Sequence, residues 1–389
     1  MLTRTLTSSF RRQFSSSSIA YNRALVYSRN GSPSEVLSAI TYPDLPPPPP
    51  NTVNIRFILS AINPADINTI EGVYPSKPTL TSNINSTGPG SDEQPVFVAG
   101  NEGLAQIDQI GDGVEGFKQN DWVVMDKSQV GTWSTCRNVS AKDVIRLPLK
   151  DSDGLTAPHG ATMTVNPTTA FNMLREFVDL KEGDWVVQNG ANSAVGKLVI
   201  QIAKLRGLNT LNLVRARDNF AEFAKSLEDL GATKVLTYDD LKDKAVRGKI
   251  QEWTSGKPLL LALNCIGGDA TTSMVKLLSN GAHLVSYGAM SKQPISLPTS
   301  LFIFKDLMTH GFWQTRWSKT HSREEKEELI GKLAGWMSRG QLQAPEHEII
   351  TLGKNETDEE VSQRVRGIFS DMAEGKYKKK VLLKLEDKA

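Results

Sequence analysis

The segment Trp185-Val-Val-Gln-Asn-Gly-Ala-Asn-Ser-Ala-Val-Gly196 carries the strongest folding signal in the chain. It predicts a buried strand, a tight turn of small residues and the first turn of a helix. Backbone N–H groups at such a helix start can approach a pyrophosphate, whose negative charge the helix dipole favours. The match to the pattern G-x-G-x-x-G is partial, because Ala191 and Ser193 replace the first two glycines and only Gly196 remains. The segment therefore predicts a phosphate-binding turn, and the sequence that follows it tests this prediction.

The residues after this turn have the spacing of a β-α-β unit. An apolar helical stretch is followed by a predicted strand, Thr210–Val214, which ends in Arg215-Ala216-Arg217. In such units an acidic residue near the end of the second strand binds the ribose 2′-hydroxyl of NAD, whereas an arginine accommodates the 2′-phosphate of NADP. The two arginines precede Asp218 here, so the sequence predicts NADPH as the cofactor. The alternative is that both arginines are only solvated at the end of a strand.

Strand and helix patterns divide the chain into a β-rich front and an alternating α/β middle. Between residues 96 and 147, short β-rich runs alternate with Gly and Asp turns, which predicts a compact, partly open β-barrel. From 166 to about 286, strands alternate with helices, which is typical of a doubly wound parallel sheet. The tail from Arg323 contains two charged helical stretches and a final predicted strand, Val381–Leu385, assigned to the β-rich domain. The predicted fold class is therefore α/β with two domains.

Composition excludes several classes of protein. The chain has 389 residues, of which 39% are hydrophobic and 23% charged, and its formal net charge is +2. This length allows two cores, and this charge gives no field that would attract nucleic acid or an anionic membrane. No run of about 18 apolar residues occurs, so no membrane span is predicted. Cys136 and Cys265 lie far apart and the histidines are scattered, so neither a disulfide framework nor a zinc site is expected.

The N-terminal residues differ in composition from the rest of the chain. The segment Met1–Ile19 contains Arg4, Arg11 and Arg12 among many Ser and Thr residues, and no acidic residue occurs before Glu35. This composition is typical of a mitochondrial transit peptide and predicts a location in the mitochondrial matrix. The alternative is an N-terminal tail with this composition by chance.

The β-rich front, the alternating middle and the returning tail together resemble the medium-chain dehydrogenase/reductase superfamily. Local motifs resemble more narrowly the mitochondrial trans-2-enoyl thioester reductases: Asn63-Pro-Ala-Asp66 followed by Gly72-Val-Tyr-Pro75, Gly100-Asn-Glu-Gly103, Asn166-Pro-Thr-Thr-Ala170 and Asn189–Gly196. The resemblance implies a GroES-like, partly open barrel and a Rossmann-like sheet. The expected divisions are a transit peptide at 1–22, a catalytic domain at 23–165, an NADPH domain at 166–318 and a return to the catalytic domain at 319–389.

The same resemblance, with the residue types present, points to chemistry without a metal. Asn101 stands where zinc-dependent members of the superfamily carry a histidine, and an amide cannot supply the imidazole nitrogen that zinc prefers. Tyr74 lies in a proline-stiffened loop, and its phenol can donate a proton or a hydrogen bond at neutral pH. The resemblance places the proton donor on this tyrosine. From the residues alone, Tyr74 could equally pack the loop between its prolines.

Cofactor contacts are expected from several segments. Asn63 and Asn166 could orient the nicotinamide amide or Tyr74 through hydrogen bonds. The resemblance implies cofactor contacts for Asn166 and for the following residues: Ser193, Ala194, Val195, Gly196, Arg215, Ala216, Arg217, Tyr287, Gly288, Ala289, Met290, Phe312, Trp313 and Gln314. It also implies a lysine just before the last strand, and among Lys376, Lys378, Lys379 and Lys380 the last is the one assigned.

The predicted function is NADPH-dependent reduction of trans-2-enoyl thioesters, carried by acyl carrier protein or coenzyme A, in mitochondrial fatty acid synthesis. One alternative is a quinone oxidoreductase on the same fold, and another is a non-catalytic protein that binds NADPH. The resemblance implies a homodimer. The apolar segment from Leu301 to Trp313 is compatible with an acyl channel, a dimer interface or a plain core.

Overall fold

The structure is a computed structural model that describes residues 21–81 and 95–387. The expected transit peptide lies almost wholly outside these ranges. The strands are β1 (Asn22–Tyr27), β2 (Ser38–Tyr42), β3 (Thr52–Ala61), β4 (Phe97–Val98), β5 (Glu102–Ile110), β6 (Trp122–Met125), β7 (Cys136–Ser140), β8 (Val144–Arg146), β9 (Trp185–Asn189), β10 (Asn209–Val214), β11 (Lys234–Thr237), β12 (Leu259–Asn264), β13 (His283–Ser286), β14 (Met308–Gly311), β15 (His347–Leu352) and β16 (Lys380–Leu385). The α-helices are α1 (Pro33–Val36), α2 (Pro64–Ile70), α3 (Ala157–Ala161), α4 (Asn166–Glu176), α5 (Ala194–Leu205), α6 (Phe220–Leu230), α7 (Lys244–Trp253), α8 (Gly268–Val275), α9 (Thr299–Lys305), α10 (Gln314–Thr320), α11 (Arg323–Ser338) and α12 (Asp358–Ala373).

A parallel sheet forms the middle of the chain, in the order β11-β10-β9-β12-β13-β14. Its central strands are runs of apolar and uncharged polar side chains, all buried in β9 and buried at all but one position in β10 and in β12, as expected where helices cover both faces. The strand order reverses between β9 and β12, so the carboxyl ends of these strands open onto a crevice. The predicted doubly wound sheet is confirmed. The sixth strand, β14, was not predicted, because its four residues lack an apolar alternation.

Antiparallel strands form the front of the chain. The long strand β3 pairs with β5, β7 and β16, in a sheet ordered β15-β16-β3-β5-β6-β8, and a separate small sheet has the order β2-β1-β4. In the part of the chain that the structure describes, neither sheet closes on itself, which agrees with the predicted partly open barrel. The tail returns through β16, which pairs with β3 at Leu382↔Ala61 and Leu383↔Ser60. Strand β15 was not predicted. It is an edge strand in which only Leu352 is buried, so its sequence lacks a buried-face pattern.

One apolar core joins the two regions. It contains Leu104 of β5, Met173 of α4, Leu198 of α5 and Leu333 of α11, all at 2% exposure or less. Truncating such a residue to alanine costs about 2–5 kcal/mol of stability. Because α4 begins at Asn166 beside this core, the junction between the two regions is fixed by packing.

Candidate active site

Tyr74 is held in position by the helix that precedes it. Helix α2 begins with a capping box, in which the Asp66 carboxylate accepts a hydrogen bond from the Asn63 backbone N–H at 2.7 Å. After α2 the chain turns at Gly72, whose φ of +82° favours glycine. The Tyr74 backbone N–H then donates to the Asn68 carbonyl at 3.1 Å. The loop geometry therefore fixes the base of the tyrosine side chain.

The phenol of Tyr74 meets the indole of Trp313. Trp313 Nε1–H donates to Tyr74 Oη at 2.7 Å, and the two rings cross at 82° with their centroids 5.9 Å apart. Trp313 follows β14 of the parallel sheet, whereas Tyr74 follows α2 of the β-rich region, so the bond crosses between the two regions. An indole N–H can only donate, so the tyrosine oxygen accepts and its own proton stays available for another group.

A cleft opens beside Tyr74. Tyr74, Thr164, Thr168 and Gln314 contribute polar groups to its wall. The apolar part of the wall is formed by Met125, Ile145, Leu329 and Ile330. The cleft thus combines a hydroxyl donor with an apolar surface that could hold a hydrocarbon chain.

A buried polar chain lies behind the cleft. Lys380 Nζ donates to Asn63 Oδ1 at 2.5 Å, and Asn63 Nδ2 donates to Glu102 Oε2 at 2.9 Å. The other oxygen of Glu102 accepts from the Val165 backbone N–H at 2.7 Å, one residue before α4 begins. Of the neighbouring lysines, Lys376 instead pairs with Asp371 and Glu374 on the surface. The structure therefore brings Lys380 to Asn63. Asn166 directly follows Val165, the residue at which this series of hydrogen bonds ends.

This site is electrostatically unusual, because two buried carboxylates, Asp66 and Glu102, influence the charge of one buried ammonium, that of Lys380. Burial raises the pKa of Asp66 to about 7, although the Asn63 backbone N–H and Lys380 oppose the shift. Burial also raises the pKa of Glu102 and lowers the pKa of Lys380, whose charge is favoured by both carboxylates. Sequence analysis did not single out Asp66 or Glu102. Both residues lie in motifs that carry the family resemblance, Asn63-Pro-Ala-Asp66 and Gly100-Asn-Glu-Gly103, and the N-cap spacing of Asn63 and Asp66 was a second signal.

The phosphate-binding turn has the predicted strand, turn and helix. Gly190 has a φ of +59°, and its N–H donates to Tyr238 Oη at 2.9 Å. Ser193 caps α5, because its Oγ accepts from the Gly196 N–H at 3.1 Å. A Cβ on Gly196 would lie 2.6 Å from the Ala191 carbonyl oxygen, so helix and turn pack too closely there for any other residue.

Buried polar atoms without partners among the described residues include Tyr287 Oη and Arg217 Nε, as well as Oε1 of Gln188 in β9. The Arg217 guanidinium carbon lies 3.6 Å from the ring centroid of Phe223, whereas Arg215 is exposed. Burial raises the pKa of Tyr287 well above its ordinary value, so the phenol stays a hydrogen-bond donor. An arginine at the end of β10 and an unsatisfied hydroxyl after β13 fit a phosphorylated dinucleotide. Among the other predicted contacts, Ala194 and Val195 lie in the first turn of α5. Exposed positions are occupied by Ala216, Gly288, Ala289 and Met290.

No group of three or more His, Cys, Asp or Glu side chains within residues 21–81 and 95–387 could hold a metal ion. Asn101, at the position where a histidine would mark a zinc site, accepts a hydrogen bond from the Gln129 backbone N–H at 2.7 Å. It therefore stabilises a loop. In the same ranges, none of the helices combines the length and apolarity needed to cross a bilayer.

Family comparisons define the class of protein first. Residues 49–165 match the family described as alcohol dehydrogenase GroES-like domain, and residues 194–334 match the family described as zinc-binding dehydrogenase. Together with the parallel sheet and the open barrel, these matches define a medium-chain dehydrogenase/reductase.

Individual proteins that are similar over most of the chain define a narrower family within this class. The chain is 40% identical over 352 residues to the mitochondrial enoyl-[acyl-carrier-protein] reductase of Schizosaccharomyces pombe, covering 90% of this chain and 92% of that protein. The solved complex of Etr1p with NADP and crotonyl-CoA is 34% identical, with a TM-score of 0.85 over 94% of this chain and 99% of that chain. The Etr1p/Etr2p heterodimer from Candida tropicalis is 35% identical, with a TM-score of 0.84 and the same coverage. The chain belongs to the mitochondrial enoyl-[acyl-carrier-protein] reductase family, which confirms the resemblance and the predicted mitochondrial location.

Proposed function

We propose that this protein reduces the 2,3-double bond of trans-2-enoyl thioesters with NADPH, as the last reductive step of mitochondrial fatty acid synthesis. The observation that carries the proposal is the Tyr74–Trp313 hydrogen bond at the edge of a partly apolar cleft. Membership in the enoyl reductase family supports the same reaction. So does the related Etr1p, which was solved with NADP and crotonyl-CoA. Acyl carrier protein and coenzyme A are the proposed carriers.

The reaction needs a hydride at the β-carbon and a proton at the α-carbon of the thioester. NADPH, when bound, supplies the hydride. In the proposed mechanism, the phenolic proton of Tyr74 is transferred to the α-carbon of the enolate, and the negative charge of the enolate passes to the tyrosine oxygen as a phenolate. The Trp313 N–H already points at the tyrosine oxygen, so it stabilises the charge that stays on that oxygen after transfer.

The residues behind the cleft have a supporting role in this proposal. The Lys380, Asn63 and Glu102 side chains connect the last strand to the backbone just before α4. This chain of bonds holds Asn63 and Lys380 at the proposed cofactor side. We propose that Ser193, Gly196 and Tyr287 face the pyrophosphate and that Arg217 binds the 2′-phosphate.

The function is tested by following NADPH oxidation with trans-2-hexenoyl-CoA and, separately, with a quinone. Oxidation with the thioester alone is the expected result. Oxidation with the quinone alone would contradict the proposed substrate while keeping the cofactor. Binding of NADPH without oxidation of either substrate would favour a non-catalytic protein.

We also propose a homodimer that forms along β14. This strand is the edge of the parallel sheet, and the preceding helix α9 exposes Phe302, Ile303 and Phe304 by 40%, 67% and 77%. These exposures exclude a plain core for the three side chains in the isolated chain. Apolar side chains beside a free strand edge suit a second copy of the chain. Light scattering should give twice the chain mass, and Phe304→Glu should lower it.

A further inference from the structure

An ion pair lies between the cleft at Tyr74 and a second groove. Asp126 and Lys326 line both the cleft and the groove. Lys326 Nζ lies 2.7 Å from Asp126 Oδ2, and the two side chains are only 15% and 13% exposed. The cleft and the groove therefore meet at the Asp126–Lys326 ion pair.

Neighbouring groups hold this ion pair in place. Ser318 Oγ donates to Asp126 Oδ1 at 3.3 Å, and Arg323 lies 3.8 Å from Oδ2. Arg323 is itself anchored, since it donates to the Val144 carbonyl at 2.6 Å. With both oxygens engaged, the carboxylate cannot turn aside without losing charge-assisted bonds. The Asp126–Lys326 ion pair is consequently a fixed wall between the cleft and the groove.

Apolar residues lie on both sides of the wall. Ile145 and Leu329 line the cleft, and Val114 and Phe117 line the groove beyond. A hydrocarbon chain that extends from Tyr74 gains from each methylene it places on the first surface. To reach the second surface it would have to separate a partly buried ion pair, which exposes charge to hydrocarbon.

We propose that the Asp126–Lys326 ion pair is the end wall of the acyl site and sets the longest acyl chain that this protein reduces efficiently. The inference rests on the proposed enoyl thioester reduction and names its chain-length determinant. Substrates whose acyl chain ends before the wall bind within the cleft. Longer chains have to bend out toward solvent or break the pair.

The test compares crotonyl-, hexenoyl-, decenoyl- and hexadecenoyl-CoA in the full chain, with kcat/KM measured for each. The double variant Asp126→Ala with Lys326→Ala removes the wall and joins the two spaces. We expect the hexadecenoyl-to-crotonyl ratio of kcat/KM to rise about tenfold or more, mainly through a lower KM, as added methylenes find apolar surface. A matched control is Asp239→Ala with Lys242→Ala, an ion pair of the same 2.7 Å length whose side chains are 66% and 78% exposed. This control should leave the ratio unchanged.

A second variant guards against a folding defect. Asp126→Asn with Lys326→Met keeps the side-chain lengths and removes the charges, so it should raise the same ratio by a smaller factor. An unchanged ratio in whichever double variant folds would overturn the end-wall proposal. Failure of the wild-type protein to oxidise NADPH with crotonyl-CoA would instead overturn the proposed function.

Discussion

The phosphate end and the reaction end of the proposed cofactor site are built in different ways. At the phosphate end, β9, the turn at Gly190 and the start of α5 are contiguous in sequence, and Ser193 caps its own helix. At the reaction end, Tyr74 meets Trp313 across 239 positions of the chain, and Lys380 meets Asn63 across 317. Local chemistry fixes the first end, whereas tertiary packing assembles the second. Substitutions at the two ends should therefore fail in different ways, one in cofactor choice and the other in turnover.

The largest effect is expected for Tyr74→Phe. Removing a positioned proton donor typically costs about 10²–10⁴-fold in rate. We expect a loss of kcat in this range with hexenoyl-CoA, while NADPH affinity, measured by fluorescence titration, stays near the wild-type value. Tyr377→Phe is the matched control, because that tyrosine packs against a separate apolar cluster. Wild-type turnover in Tyr74→Phe would show that the phenol is not the proton donor.

A smaller effect, on stability, is expected at the buried carboxylates behind the reaction end. The pKa of Asp66 is raised from 3.8 to about 7, chiefly by burial. A group whose pKa is higher in the folded state stabilises fully below its unfolded pKa and loses that contribution as the pH rises through the folded value. The free energy of unfolding should therefore fall between about pH 4 and 7 as Asp66 ionises, and Asp66→Asn should remove about 1–3 kcal/mol of that fall.

Urea unfolding at a series of pH values measures this difference. Asp121→Asn is the control, since Asp121 accepts a similar backbone bond, from the Lys118 N–H at 2.8 Å, outside the buried chain. The control should follow the wild-type pH dependence. Parallel curves for Asp66→Asn and wild type would show that Asp66 does not ionise in this range.

The contrast between the two ends also explains what the sequence alone could predict. The individual strands and helices of the Rossmann-like sheet and the turn at Ser193 and Gly196 follow from local patterns, because each such element is encoded within its own residues. The strands β2, β7, β14 and β15 were not predicted; of these, β14 and β15 are edge strands that bury few side chains. The choice of Lys380 among four clustered lysines depends on the register of β16 beside β15 and β3. The Trp313–Tyr74 bond likewise depends on how two regions pack, which no local pattern carries.

At the phosphate end, the two arginines should contribute unequally. Arg217 is half-buried against Phe223, and its Nε has no hydrogen-bond partner in residues 21–81 and 95–387, whereas Arg215 is exposed. Arg217→Ala should weaken NADPH binding by about 1.5–3 kcal/mol and leave NADH binding nearly unchanged, because a charged hydrogen bond to the 2′-phosphate is lost. Arg215→Ala should cost less, owing to solvent screening. Titration of each variant with both cofactors measures these losses of affinity. Equal losses for NADPH and NADH would show that these arginines do not bind the 2′-phosphate.

The smallest effect is expected for Trp313→Phe, which keeps an aromatic ring beside Tyr74 and removes only the N–H donor. A neutral hydrogen bond contributes about 0.5–1.5 kcal/mol, so kcat should fall about two- to tenfold. The loss should appear in kcat more than in KM, because the bond matters most when charge remains on the tyrosine oxygen. Combined with Tyr74→Phe, the tryptophan substitution should cost almost nothing further, since both act through one oxygen. Trp336→Phe, which packs against Phe171, is the control. Additive losses in the double variant would mean that Trp313 acts on the cofactor or the substrate independently of Tyr74. The hydrogen bond between the two regions would then have no part in proton donation.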